Sequence, residues 1–258
     1  MKKRGKKKVL LLGAAGRIGA GFIEEYSKKY KKYYELILGV HSKKFKDKRF
    51  KVFRTELTDV ASLKRVMKNV DVVINLAANP QVDAIFSDLI KPNLIGAYNV
   101  FEAARQAKCE RVIFASSVHV IKGYPHDREV IGTDAPKPLN FYGASKAFGE
   151  ALCSVFSHKY NLSCLAIRIG AYVSNDGKKV VCYTRHDYDY VISQRDMAQL
   201  LHRCVMAEKK VKYGILSGIS NNEHKRMELK FTKKLIGYKP QDDAFKVCRV
   251  IKKSELRK

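Results

Sequence analysis

The feature that most limits what this chain can fold into is a short apolar run that ends in evenly spaced glycines. Lys8 to Leu12 reads as a buried strand, and it leads into Gly13-Ala14-Ala15-Gly16-Arg17-Ile18-Gly19 and then an amphipathic segment carrying Ile18, Phe22 and Tyr26. Strand, glycine turn and helix in that order make a pyrophosphate site. Glycines let the backbone approach phosphate oxygens, and the helix amino terminus offers N–H groups without intrahelical partners at the positive end of its dipole. The plain alternative is an ordinary tight turn between a strand and a helix.

The first two-thirds of the chain repeats this alternation. Strands are expected at Glu35 to Val40, Phe50 to Phe53, Asp71 to Ala78, Arg111 to Ser117 and Leu162 to Arg168. Helices are expected at Val60 to Lys68, capped by Asp59, at Lys91 to Ala107 and at Tyr142 to Tyr160. In the second of these, Leu94, Ile95, Tyr98, Val100 and Phe101 are expected to face the core. Alternating βα units imply an α/β fold, a Rossmann-like doubly wound parallel sheet that binds ligands at the carboxyl ends of its strands. Residues 1–168 are assigned to this dinucleotide-binding domain. Residues 169–258 are assigned to a small carboxyl-terminal substrate lobe packed on it as part of one globular unit. The lobe is expected to hold a polar, basic loop from Gly170 to Tyr190, a helix from Ser193 to Ala207, a short strand at Gly214 to Ser217 and a helix from Asn222 to Ile236.

A chain of 258 residues, 46% hydrophobic and 29% charged, has enough apolar surface for a substantial core. No apolar run reaches the length of a membrane span, and the run after the basic tract Met1 to Lys8 is too short for the core of a signal peptide. The cysteines show no Cys-x-x-Cys pattern, which argues for free thiols in a reducing cytoplasm and against a disulfide frame or a metal site. The formal charge of +26, from 51 Lys+Arg against 25 Asp+Glu, attracts anions in general. Its lysines are spread along the chain, so nucleic acid is expected as a partner only through general basic charge, although the amino-terminal tract also resembles a nuclear-localisation patch.

Two further stretches carry chemistry. Tyr142 and Lys146 lie four apart at the start of a helical run, so their side chains share one helix face. An ammonium near a phenol favours the phenolate, and such a pair can move a proton on or off a hydroxyl or carbonyl. At the end of the second strand, dinucleotide folds use an acid to hold the adenosine ribose. This chain has Val40-His41-Ser42-Lys43-Lys44 there. With no acid to repel a 2′-phosphate, the expectation is NAD or NADP with a lean to NADP.

Jointly, several motifs resemble the extended short-chain dehydrogenase/reductase family, part of the NAD-dependent epimerase/dehydratase superfamily, over nearly the whole chain. They are Gly13-x-x-Gly16-x-x-Gly19, Asn75-Leu76-Ala77-Ala78, Asn93-Leu94-Ile95-Gly96-Ala97-Tyr98-Asn99-Val100, Phe114-Ala115-Ser116-Ser117-Val118-His119, Tyr142-Gly143-Ala144-Ser145-Lys146, Arg168-Ile169-Gly170 and Gly237-Tyr238-Lys239-Pro240. Within the family the chain is most similar to uronate dehydrogenases and archaeal glucose-6-phosphate dehydrogenases. The resemblance implies Ser117, Tyr142 and Lys146 as the catalytic residues, with Tyr142 and Lys146 also touching the cofactor. It implies Gly13, Gly16, Arg17, Ile18 and Gly19 around the pyrophosphate and Leu57, next to Glu56, at the adenine. Leu76, Ala77, Ala78 and Ile169 fall at the nicotinamide half. Apart from the resemblance, His41 with Ser42 and the lysines after it is the group expected to bind a 2′-phosphate, since no acid repels one there. Ser117, His119, Tyr142 and Lys179 are the expected substrate contacts, and a homodimer through the Lys91 and Tyr142 helices is implied as well.

Departures from the family pattern bear on the substrate. Val118 replaces an asparagine, Pro80 and Ala171 replace serines, and Val180 stands where an arginine clamps the uronate carboxylate. Lys178, Lys179 and Arg185 are candidate replacements from the same loop. The expectation is an NAD(P)-dependent dehydrogenase of a small anionic sugar, a uronate or a hexose phosphate, using no metal. Two rivals remain open at this point: a sugar-nucleotide epimerase or dehydratase with tightly bound NAD, and a non-catalytic dinucleotide-sensing or nucleic-acid-binding protein on the same fold.

Overall fold

The computed structural model describes residues 5–41, 45, 47–174, 181–182, 185–247 and 249–250. The first strand, β1 (Lys7–Leu12), sends Val9 and Leu11 into one apolar cluster and Leu10 and Leu12 into another, all fully buried. A strand apolar on both faces needs cover on both sides, as a central strand of a parallel sheet has. After it come α1 (Arg17–Glu25), widened into a π turn at Tyr26–Tyr30, β2 (Tyr34–Val40), β3 (Lys51–Arg54), α2 (Val60–Val66) and β4 (Val72–Asn75). Then α3 (Phe86–Leu89), a π turn at Ile90–Ile95 and α4 (Gly96–Gln106) form one helical run, followed by β5 (Arg111–Ser117), α5 (Phe141–Tyr160) and β6 (Ser163–Ile169). The remainder comprises β7 (Ala171–Val173), β8 (Val181–Cys182), β9 (Val191–Ser193), α6 (Gln194–Met206), β10 (Tyr213–Gly218), α7 (Lys230–Ile236), α8 (Ala244–Val247) and β11 (Arg249–Val250).

The main sheet has seven parallel strands in the order β3-β2-β1-β4-β5-β6-β10. Chain order reverses between β1 and β4, and that is where such sheets open a crevice at their carboxyl edge. One face is covered by α1 and α6, through Phe22, Tyr26, Met197, Leu200 and Leu201. The other is covered by α2, α4 and α5, through Leu63, Val100, Phe101, Leu152 and Phe156. The doubly wound α/β expectation is therefore met.

Four local expectations are corrected. The buried positions of α4 include Ala97, Val100, Phe101 and Ala104, whereas Tyr98, and Ile95 just before the helix, are 47% and 44% exposed. The spacing i, i+3, i+4, i+7 selects the first set, and the π turn containing Pro92 starts the helix in that phase. The stretch from 170 to 190 is not all loop, because β7 pairs with β9, β8 pairs with β11, and Arg185–Tyr190 forms a 3₁₀ turn. The strand expected inside the lobe is β10, which pairs with β6 and extends the main sheet. The helix expected from Asn222, α7, begins only at Lys230. Before it, the backbone is committed to Val130, which donates to the Arg226 carbonyl at 3.0 Å and accepts from the Glu228 N–H at 2.9 Å.

Candidate active site

The glycine turn leaves β1 at the switch point. Gly13 has φ +78°, and a Cβ there would lie 2.8 Å from the Ala77 nitrogen at the end of β4. A Cβ on Gly19 would lie 2.5 Å from the Gly13 carbonyl oxygen, so both positions require glycine for the helix to seat on the strand. Gly16, in extended conformation at the N-cap of α1, brings no side-chain cap, and the first turn of α1 carries no acid. That end of the helix is chemically fitted to a phosphate. Arg17 stands beside it with its guanidinium 5.6 Å from the centre of the Tyr172 ring, and Ile18 is half-buried under the turn. Leu76 and Ala77 follow β4; the Leu76 N–H donates to the Leu12 carbonyl at 3.1 Å, and Asn75 Oδ1 accepts from the Ala77 N–H at 3.1 Å. Ala78 is half-buried in the same segment.

The far end of the crevice is built from β2 and β3. Val40 pairs with Arg54, so His41 and Glu56 emerge close together, and His41 Nε2 lies 3.0 Å from Glu56 Oε2. Hydrogen bonds from Thr58, with the charges of His41 and Arg54 behind them, hold the Glu56 carboxyl below the ordinary carboxylate range. Leu57 is fixed by the asparagine motif on the opposing helix. Asn99 Nδ2 donates to the Leu57 carbonyl at 2.9 Å, and Gly96 leaves room for the Leu57 side chain.

Ser117, Tyr142 and Lys146 converge at the carboxyl end of β5. Ser117 pairs in register with Ile169 of β6, and its side chain is near enough to the Tyr142 hydroxyl to pull that phenol down against its burial. Lys146 is 5% exposed; its Nζ donates to the Ala115 carbonyl at 2.9 Å and sits 5.6 Å from the centre of the Tyr142 ring. Burial, rather than this lysine, dominates the shift of the phenol. Burial pushes Tyr142 above its ordinary value, opposed only by Ser117, and burial pulls Lys146 down to about 8. The physical reason is that both groups lie inside the protein, where desolvation disfavours phenolate and ammonium alike.

His119 lies against this trio, its ring meeting the Tyr142 ring edge-on at 5.6 Å. Burial, and then the charge of Lys122, push His119 down to about 4, so it is neutral at physiological pH. Its tautomer follows from Asn140. The Asn140 Oδ1 caps α5 by accepting from the Gly143 N–H at 2.7 Å, which turns Nδ2 toward His119 Nδ1 at 3.0 Å. Nδ1 is then the acceptor and Nε2 carries the proton.

Three groups holding the site were not singled out from the sequence. Asn140 had a usable signal, since an asparagine directly before a helical run is a preferred cap. Asn93, in the π turn, accepts from the Asn79 N–H at 2.8 Å and donates to the Asn79 carbonyl at 3.1 Å and to Ser145 Oγ at 3.0 Å, tying the loop after β4 to α5. Glu150 and Arg168, each 3% exposed, form a buried ion pair: Nε and an Nη of Arg168 donate to the two carboxylate oxygens at 2.9 Å each, and Ser116 Oγ donates at 2.6 Å. Nothing in their spacing along the chain announces that α5, β5 and β6 meet there. Lys178, Lys179 and Val180 lie outside the described residues, as do Ser42, Lys43 and Lys44, and the side chain of Arg185 is not described.

Known proteins fit this geometry. The model of the NAD dependent epimerase/dehydratase family matches residues 9–199. An NAD-dependent glucose-6-phosphate dehydrogenase of Haloferax volcanii is 29% identical over 250 residues, covering 92% of this chain and 94% of that protein. An L-arabinose 1-dehydrogenase (NAD(P)(+)) of the same organism is 32% identical over 209 residues, covering 73% and 81%. Among solved structures, a glucuronic acid dehydrogenase from Chromohalobacter salexigens superposes with a TM-score of 0.81 at 28% identity, covering 92% of this chain and 85% of the other. The glycine turn at the switch point, the Ser117–Tyr142–Lys146 cluster and these matches lead to one assignment: the chain belongs to the NAD dependent epimerase/dehydratase family.

Proposed function

We propose that this chain is an NAD-dependent dehydrogenase that oxidises a hydroxyl of a small, anionic sugar, a uronate or a hexose phosphate. The observation that carries the reading is the convergence of Ser117, Tyr142 and Lys146 beside the glycine turn. The relatives described above, whose names give sugars and a uronic acid as substrates, support a small sugar over a nucleotide sugar.

A bound dinucleotide supplies the hydride acceptor, and the chain's own residues handle the proton. Ser117 and Tyr142, side by side, offer two oxygens to one substrate hydroxyl. Ser117 holds that oxygen, and Tyr142 as phenolate takes its proton. Lys146, pinned to the Ala115 carbonyl, keeps its ammonium beside the ring and favours the phenolate at the moment of transfer. His119, neutral with its proton on Nε2, donates to the sugar without competing for the proton. If the oxidised carbon is the anomeric one, the product is a lactone. Residues 169–258 are proposed to close over the sugar.

The same reading favours NAD over NADP. The lean to NADP rested on the lack of an acid at Val40, and Glu56 supplies a carboxylate from the next strand end, 3.0 Å from His41. A carboxylate at the ribose repels a 2′-phosphate. Homodimerisation through α4 and α5 belongs to the proposal, supported by the exposed Ile95, Tyr98, Phe141, Phe148 and Val155. A cytoplasmic location is supported by the buried free thiols Cys109, Cys153, Cys164 and Cys204. No helix among the described residues is long and apolar enough to cross a membrane.

The test is a screen of uronates, hexose phosphates and neutral aldoses with both cofactors, followed by absorbance of the reduced nicotinamide. Tyr142→Phe is expected to lower kcat about 10²- to 10⁴-fold on the sugar that turns over. Near-complete retention of turnover in that variant sinks the assignment.

A further inference from the structure

By the resemblance described above, Val180 stands where an arginine would clamp a carboxylate, and a group among the described residues can take over the anion of the proposed substrate. The geometry points to Lys122 as that group: its ammonium forms, with the Tyr190 hydroxyl, the subsite for the sugar's carboxylate or phosphate. The inference rests on the dehydrogenase reading above and names the residue that sets its substrate class.

Lys122 follows the 3₁₀ turn Val118–Val120, which leaves β5 immediately after Ser117. The same short segment therefore carries Ser117, His119 and Lys122. Lys122 Nζ donates to Tyr190 Oη at 3.1 Å and lies 4.9 Å from the centre of the Tyr190 ring. That ring is fixed in turn. Tyr190 is buried, and its carbonyl oxygen occupies the space a side chain on Gly170 would need. Gly170 directly follows Ile169, the register partner of Ser117, so the backbone of Tyr190 packs against the chain just past the end of β6. The charge of Lys122 is felt at His119, whose ring meets the Tyr142 ring edge-on.

Lys122 is half-buried, and among the described residues no carboxylate lies within ion-pair distance of it; its partners are a hydroxyl and an aromatic face. A half-buried ammonium held in one place without a counter-ion is fitted to receive one. Tyr190 adds a second polar group to the same anion. An ammonium on a flexible stem holds a carboxylate or a phosphate as a point charge, whereas a planar guanidinium is matched to two oxygens in a plane. Lysine at this place therefore suits the tetrahedral phosphate as well as the planar carboxylate.

The experiment compares the full chain with Lys122→Met and Lys122→Arg, using D-glucuronate, glucose 6-phosphate and D-glucose with NAD. For Lys122→Met, kcat/KM on whichever anionic sugar is used is expected to fall at least ~10-fold more than on D-glucose, with the loss in KM; Lys122→Arg recovers most of it. The glucuronate and glucose 6-phosphate arms tell which anion the subsite takes. In parallel, each anionic sugar is titrated calorimetrically into the NAD-saturated chain, where Lys122→Met is expected to weaken binding by the same factor. Equal losses on charged and neutral sugars, or calorimetric binding that Lys122→Met leaves unchanged, overturn the inference while leaving the dehydrogenase reading intact. Binding of neither anionic sugar to the unsubstituted chain overturns it too. Turnover of no sugar at all counts against the dehydrogenase reading, and the calorimetric arm still decides on Lys122.

Discussion

Replacing Lys146 by methionine removes a buried ammonium and makes the stability of the chain less dependent on pH. In the folded protein burial pulls Lys146 down to about 8 from its ordinary 10.5, while the unfolded chain keeps the ordinary value. The carbonyl of Ala115 and the faces of Phe114 and Tyr142 offset part of the desolvation, yet the net shift is downward. Between the two values the unfolded chain binds more protons than the folded one, so stability rises with pH. The contribution of this group is fully present above about 10.5 and is lost as pH falls through about 8. The slope inside that window is about 1.4 kcal/mol per pH unit, which gives the unsubstituted chain about 2 kcal/mol relative to Lys146→Met between pH 7 and pH 9.5. Urea unfolding of both proteins without cofactor, at pH steps across that range and analysed with a common slope, measures the difference directly. A difference that stays flat across the range refutes the reasoning, because it means that the ammonium is not desolvated in the folded state.

Two further substitutions probe the scaffold and the site. Arg168→Met leaves the Glu150 carboxylate buried without its partner and is expected to cost about 3–5 kcal/mol in urea unfolding, whereas the double variant Glu150→Met with Arg168→Met regains most of that loss. Asn140→Asp keeps the oxygen that caps α5 but turns the donor facing His119 Nδ1 into an acceptor. Stability is expected to stay within about 1 kcal/mol, while His119 rises from about 4 toward its ordinary 6.5, followed by NMR titration of the imidazole.

Much of the fold is legible in the sequence because its strands are short, apolar and separated by helices of clear period. The glycine turn was readable for a related reason: the demands at Gly13 and Gly19 are steric and local. Ile95 and Tyr98 were misread because a run of apolar residues does not reveal the phase that a π turn imposes. The segment from Asn222 to Lys230 was misread because its partner, Val130, is 97 residues from Met227, and such pairing leaves no periodic trace. In the site, the residues proposed to react sit in compact motifs, whereas their supports do not. Glu150 reaches Arg168 and Ser116, and Lys122 reaches Tyr190, through contacts that exist only once the strands have been aligned. The protonation states also escaped a reading from spacing alone, because the four-residue interval between Tyr142 and Lys146 says nothing about how dry their surroundings are.

The Glu150–Arg168–Ser116 knot lies one helical turn beyond Lys146 on α5. It nails the helix that carries phenol and amine to two central strands, so neither can slide or tilt without tearing an ion pair out of the interior. Lys122 and Tyr190 make none of the contacts of that knot. An ancestral chain of this build can therefore exchange the groups that greet the sugar's far end, one at a time, while its proton-handling apparatus stays still, which separates the freedom to acquire new substrates from the need to keep turning them over.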